Sequence, residues 1–174
     1  MVNITFIRHG VKEYDNNKGP KGSFQHDPDI YDFKNSIVFD LYRKNKFTQI
    51  ISSPYKRTRN TAMKIKDVLA KNNIYVDLII EPIISEYLGN QTPIGEYANV
   101  EPETFSYFKP KLGIENIQKL KGRLHKFKRK ILKSKTNTLV ITHGINVCFL
   151  YQFLCNKPPK TIKELKGFTY KIEK

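Results

Sequence analysis

Apolar and polar positions follow two rhythms along this chain, and they predict alternating strands and helices. Residues 2–7 form a short apolar run with Ile4, Phe6 and Ile7 as core positions, which predicts a strand. Residues 34–45 carry Ile37, Val38, Leu41 and Tyr42 at helical spacing. Phe47–Ile51 predicts a second strand. Ser53 and Pro54 then predict a helix start, with Ser53 as cap and Pro54 in the first helical position. That helix extends to Lys71, with Ala62, Ile65, Val68 and Leu69 on its inner face, and Asn72-Asn73 ends it. Tyr75–Ile80 predicts a third strand. From Ile114 to Lys133, Ile117, Leu120, Leu124, Phe127 and Ile131 recur at spacings of three and four, the mark of an amphipathic helix. Gly122 weakens it by up to ~1 kcal/mol relative to alanine. Thr138–Thr142 predicts a fourth strand. Residues 145–156 predict a largely apolar helix stopped by Pro158-Pro159, and Gly167–Ile172 a short, lysine-bearing edge strand.

Two stretches break both rhythms. Residues 10–33 carry Gly19, Pro20, Gly22, Asp27, Pro28 and Asp29, which is loop chemistry. Residues 81–113 are interrupted by Pro82, Gly89, Pro93, Gly95, Pro102, Pro110 and Gly113, with short helical pieces expected around Tyr97–Phe108. Long insertions after a strand often form the wall or lid of a site. The alternation as a whole predicts an α/β fold: a three-layer α/β/α sandwich on a mostly parallel central sheet, with residues 1–174 as one domain. Right-handed crossovers place the C-terminal ends of parallel strands on one rim, where ligands bind.

Composition narrows the class. With 174 residues, 39% hydrophobic and 12% aromatic, the chain has the makings of a full core and is not a disordered one. No apolar run approaches the ~20 residues of a membrane span. The sequence opens directly on a strand pattern, without a basic segment and an apolar signal core, so the expectation is a cytoplasmic protein that does not engage a membrane. Cys148 and Cys155 lie two helical turns apart on one predicted helix, too far to bridge each other, and they give no zinc spacing. Two such cysteines suit a reducing compartment. The net charge of +15 and pI near 9.7 attract polyanions: nucleic acid, anionic membrane or phosphorylated substrates. The abundance of Lys, Asn and Ile gives equal weight to a gene of biased base composition. Lys119, Lys121, Arg123, Lys126, Lys128, Arg129, Lys130 and Lys133 occupy the other faces of the amphipathic helix. Such a run is ordinarily a solvated face, and it lacks the interleaved aromatics that stack bases.

The chemistry lies just beyond each apolar run. The first strand ends in Arg8-His9-Gly10 and the fourth in Thr142-His143-Gly144. The second ends in Ser52-Ser53, with Arg57 in the next helical turn, and the third is followed by Glu86. One rim thus receives two histidines, two arginines and a glutamate. A neutral imidazole with an unperturbed pKa near ~6.5 can attack phosphorus at neutral pH, a role that falls to His9. Arg8 and Arg57 suit phosphate oxygens, with His143 as a further stabiliser of charge on the transferring group. The helix N-terminus at residues 54–57 adds donors and a favourable dipole. Glu86 can protonate the leaving alkoxide if burial or like charge raises its pKa. Glu81, Glu96 and Glu101 compete for that role. Gly10 and Gly144 let backbone approach the phosphate or turn out of the strand.

These motifs resemble those of the histidine phosphatase superfamily, the phosphoglycerate mutase-like fold. Arg8-His9-Gly10 is similar to its signature. Ser52-Ser53-Pro54-Tyr55-Lys56-Arg57-Thr58-Arg59-Asn60-Thr61-Ala62 is similar to its serine–proline–arginine–threonine–alanine segment. Thr142-His143-Gly144 is similar to its second histidine motif, and Ile84-Ser85-Glu86-Tyr87-Leu88-Gly89 to the segment carrying its acid. The resemblance implies His9 as the phosphorylated nucleophile and Arg8, Arg57 and His143 as the phosphate pocket. It implies Glu86 as proton donor, and no metal or organic cofactor. The chain resembles the shorter, more open members, which favours hydrolysis over mutase chemistry. The expectation is therefore a metal-independent phosphomonoester hydrolase. The alternatives are a phosphoglycerate mutase-type phosphotransferase and a non-catalytic basic protein that binds nucleic acid. The substrate expected is a sugar phosphate, nucleotide, inositol phosphate or phosphoprotein, with Lys12, Lys18 and Lys21 lending positive charge to the first loop. His26, Asp27 and Asp29 are expected to make a plain turn rather than a metal site. No Gly-x-Ser-x-Gly elbow supports a serine hydrolase.

Overall fold

A strand covered on both faces is apolar at nearly every position rather than at alternate ones. This is the pattern of β1 (Val2–Arg8) and β4 (Thr138–Thr142), the latter buried throughout. A computed structural model of the chain describes residues 1–13, 29–86, 117–158 and 162–173. In it, β1 and β4 pair in parallel at the middle of a five-stranded sheet. The others are β2 (Gln49–Ser52), β3 (Asp77–Ile80) and β5 (Gly167–Ile172), in the order β3-β2-β4-β1-β5. β1 to β4 are parallel, and β5 runs antiparallel along β1 at the edge.

Among the described residues four helices cover the sheet: α1 (Asn35–Asn45), α2 (Lys56–Ala70), α3 (Ile117–Ile131) and α4 (Gly144–Cys155). Their apolar stripes divide the core in two. On one face Ile4, Phe6, Ile51 and Val140 meet Leu120, Leu124 and Phe127 of α3 and Val147 and Leu150 of α4. On the other, Ile7, Ile50, Leu139 and Ile141 meet Val38 of α1 and Ala62, Ile65 and Leu69 of α2. The expected three layers and mostly parallel sheet are thus the observed architecture. At the edge, Phe168 stacks on Phe6 with ring centroids 4.8 Å apart. A Cβ added at Gly167 would lie 1.6 Å from the Phe6 carbonyl oxygen, so only glycine lets β5 lie this close to β1.

Three local expectations change. β3 starts at Asp77 rather than Tyr75, and α2 starts at Lys56 with Tyr55 as its N-cap, so neither Ser53 nor Pro54 begins the helix. Ile37 of α1 is exposed, while Val38 carries that helix's buried contact. Arg123, expected on the solvated face of α3, is buried. Cys148 and Cys155 are both free thiols. Among the described residues no helix is long and apolar enough to cross a membrane. Lys18, Lys21, His26 and Asp27, the insertion with Glu96 and Glu101, and the helical pieces around Tyr97–Phe108 lie outside the described residues.

Candidate active site

The register of the sheet decides what the strand ends bring together. Arg8 lies opposite Thr142, so the next residues, His9 and His143, leave neighbouring parallel strands side by side. The His9 amide continues that ladder, donating to the Thr142 carbonyl at 3.0 Å. On the other side of β4, Ser52 lies opposite Ile141, and the Ser53 amide donates to the Ile141 carbonyl at 3.0 Å. His9, His143 and Ser53 therefore stand in one row at the C-terminal rim. The two imidazole centroids are 5.5 Å apart, inclined at 64°.

The two rings are held differently. His9 is 1% exposed, and its Nδ1 lies 2.7 Å from the carbonyl oxygen of Gly10. A carbonyl only accepts, so Nδ1 carries the proton and Nε2 keeps its lone pair. Burial, followed by the charges of His143 and Arg57, holds the His9 pKa well below its ordinary value. The ring is therefore neutral at pH 7. His143 is fully buried, with Nε2 2.8 Å from Ser53 Oγ and Nδ1 3.0 Å from Glu86 Oε2. Tyr55 packs edge-on against this ring at 4.9 Å, and the Arg57 guanidinium lies over the Tyr55 ring at 4.8 Å. Ser53 thus contacts the second histidine instead of capping α2, while its carbonyl accepts from Thr58 Oγ1 at 2.8 Å.

Arg57 and Glu86 complete the group. Arg57 is buried in the first turn of α2 and donates to Glu86 Oε2 at 3.1 Å. Glu86 follows the 3₁₀ turn Pro82–Ile84, and its side chain is 26% exposed. The raised pKa on which its role as proton donor is conditional is absent in the empty pocket: burial does push it up, but the charges of His143 and Arg57 and the bond to His143 outweigh burial and hold it well below the carboxylate range. The carboxylate is an anion held between two groups expected to bind phosphate. Among the described competitors, Glu81 is committed elsewhere, paired with Lys130 and accepting from the Ile83 amide at 3.2 Å.

Arg8 reaches in another direction. Nη2 pairs with Glu164 at 2.9 Å and Nη1 donates to the Ile162 carbonyl at 3.1 Å. Its Nε is buried without a hydrogen-bond acceptor among the described residues. A Cβ added at Gly144 would lie 3.4 Å from the Cδ and Nε of Arg8, so the arginine stem crosses the corner after His143. Neither Gly10 nor Gly144 has a left-handed φ, and Gly10 instead donates its amide to Thr61 Oγ1 at 2.9 Å. The stem of the first loop is fixed to α2. Val11 and Glu13 bond to Tyr31 and Asp29, and the Asp29 carboxylate takes Asn60 at 2.6 Å and Lys56 at 3.1 Å, which makes it a structural anchor.

Sequence reading missed the support behind Glu86. Arg123 donates to the carbonyls of Ile83 and Glu86, Asn146 to those of Ile84 and Ser85, and Thr142 to that of Ile84. The signal for Arg123 was present: it lies three residues after Leu120 and four before Phe127, both core positions, so the helical period turns it inward.

The model of the histidine phosphatase superfamily (branch 1) matches residues 4–172. Among solved structures, a mycobacterial glucosyl-3-phosphoglycerate phosphatase superposes with TM-score 0.63 at 14% identity, covering 97% of this chain and 89% of that one. A phosphoglycerate mutase from Bacillus anthracis gives TM-score 0.63 at 18% identity, covering 99% and 91%. A phosphoserine phosphatase from Entamoeba histolytica, in complex with 3-phosphoglyceric acid, gives 0.59 at 17%, covering 97% and 90%. No curated protein matches the chain.

Proposed function

The chain belongs to the histidine phosphatase superfamily, and we propose that it is a metal-independent phosphomonoester hydrolase working through a phosphohistidine on His9. The observation that carries this reading is the pair of buried imidazoles 5.5 Å apart, with the His9 Nδ1 proton committed to Gly10 and Nε2 left as the nucleophile. A phosphoryl group between the rings meets Arg57 and His143, and the unpartnered Nε of Arg8 supplies a further donor while Glu164 anchors the guanidinium.

The reaction then takes two steps. Nε2 of His9 attacks phosphorus as the bond to the substrate alcohol breaks, and the departing oxygen takes the proton of the Glu86 carboxyl. Water next attacks the phosphohistidine, gives its proton to the Glu86 carboxylate, and inorganic phosphate leaves. Glu86 acquires its proton when the substrate phosphate takes over Arg57 and His143 and adds negative charge beside it, which raises the pKa that these two cations depress in the empty pocket. The substrate class is a small phosphorylated metabolite, in keeping with the substrates for which the structural neighbours are named, with a phosphoprotein as the alternative. Against the nucleic-acid alternative, Arg123, Lys128 and Lys130 of the basic helix are engaged by Ile83 and Glu86, by Phe153 and by Glu81.

The test is hydrolysis of an aryl phosphate in the presence of a chelator, with trapping of an acid-labile phosphoenzyme. Turnover and label in the wild type, both lost in His9→Ala, support the reading. A folded wild type that is inactive across a panel of phosphate esters would sink it.

A further inference from the structure

We propose that Arg123, on the basic helix α3, is a positioning residue for the Glu86 carboxyl; this rests on the hydrolase reading above. The four residues 83–86 follow β3 without a strand or α-helix to satisfy their backbone, so their buried and half-buried carbonyls need other donors. Side chains provide all four. Arg123 donates from Nη1 to the Ile83 carbonyl at 2.9 Å and from Nη2 to the Glu86 carbonyl at 3.1 Å. Asn146 donates to the Ile84 and Ser85 carbonyls, each at 2.8 Å, and Thr142 Oγ1 to the Ile84 carbonyl at 2.6 Å.

Within that set, Arg123 is the side chain that donates to the backbone of Glu86, the residue that carries the acid. It is 7% exposed, and a guanidinium this buried requires partners of good geometry. Its planar fork spans two carbonyls three residues apart, which an ammonium cannot reproduce. The held Glu86 backbone leaves the side chain a short reach to His143 Nδ1 at 3.0 Å and Arg57 at 3.1 Å. Loosening the backbone carbonyl therefore displaces the carboxyl from the place where it meets the leaving oxygen, and small displacements of a catalytic group carry large costs. The described hydrogen bonds of Arg123 go to the backbone of Ile83 and Glu86 rather than to either histidine, so its effect passes through Glu86.

A purely structural role and a positioning role differ in leaving-group dependence. An aryl phosphate such as p-nitrophenyl phosphate expels its phenolate without a proton, whereas the alkoxide leaving from an alkyl phosphate such as β-glycerophosphate needs one. The ratio of kcat/KM for the two substrates, measured on one preparation, does not depend on the fraction folded. In Arg123→Lys and Arg123→Met the alkyl/aryl ratio should fall roughly ten- to hundred-fold, within the range of a general acid's contribution. In a Glu86→Gln background, Arg123→Lys should leave the ratio unchanged. An unchanged ratio in the single variants, or a further fall in the double variant, overturns the positioning role while wild-type turnover upholds the hydrolase. A wild type inactive on both substrates overturns the hydrolase reading and this proposal with it.

Discussion

The chain twice ends a buried strand in histidine and glycine, and the two corners are built for different work. After β1, the ring of His9 makes its described hydrogen bond to its own neighbour, Gly10, through Nδ1. After β4, both nitrogens of His143 are engaged by residues from elsewhere, Ser53 and Glu86. A ring held at one nitrogen keeps a lone pair for attack. A ring held at both is oriented, and it shares charge with its partners. Under the proposed mechanism, the same local pattern of strand, histidine and glycine therefore supplies a nucleophile in one place and a fixed stabilising group in the other. The partners of the ring nitrogens decide the role.

The largest expected break comes from His9→Ala. Removing a nucleophile should lower kcat on an aryl phosphate by at least ~10⁴-fold and abolish the phosphoenzyme. His143→Ala should retain a trappable phosphoenzyme and lose about 10²- to 10³-fold in kcat/KM, the cost of removing one preorganised stabilising group. Equal losses in the two variants, with no phosphoenzyme in either, would erase the distinction between the corners.

The pH profile sharpens the comparison further. In the proposed mechanism His9 attacks as the neutral ring, and its pKa is held well below the ordinary 6.5 in the folded protein. The limb of kcat/KM due to His9 should therefore fall below pH 6.5, with full activity retained as pH decreases to that value. Removing His143 deletes one of the depressing charges while burial remains, so the limb should move to higher pH. A limb at 6.5 or above in the wild type would contradict the assignment. The same depression links stability to pH. A histidine whose folded pKa is lowered contributes stability that is complete above its unfolded value near 6.5 and is lost as pH falls through the folded value. The smallest effect is expected for Ser53→Ala. It removes one hydrogen bond to His143, worth about 1 kcal/mol or roughly five-fold in kcat/KM, and it should leave the His9 limb in place.

Much of this could be read from sequence because it depends on period and order. The apolar runs of β1 and β4, the inner face of α2 and the alternation of elements announced a covered parallel sheet, and the sheet then carried Arg57, Glu86 and both histidines to one rim. Contacts between distant segments were another matter. Nothing local to Ser53 distinguishes a helix cap from a partner of His143, since both uses satisfy the same hydroxyl. Nothing local to Arg8 indicates Glu164, which reaches it through the segment that precedes β5. Arg123 stood in a run of lysines whose charge suggested solvent, although its place in the helical period put it inside. The direction of the Glu86 pKa was not legible for a related reason. Burial could be anticipated, but the proximity of two cations required the register.

The order of strands has a consequence for how the protein is made. β4 lies between β1 and β2, which do not pair with each other in the sheet. A nascent chain that has emerged only as far as α3 has synthesised His9, Arg57 and Glu86 but has a gap where the middle of the sheet belongs. The exposed edges of β1 and β2 then await a strand from the last quarter of the sequence, a long-range closure of the kind that slows folding and exposes intermediates. When β4 enters, it completes the sheet and delivers His143 in the same event. A chain truncated before β4 should therefore lack the pocket altogether, and folding and the appearance of the site should follow a single time course.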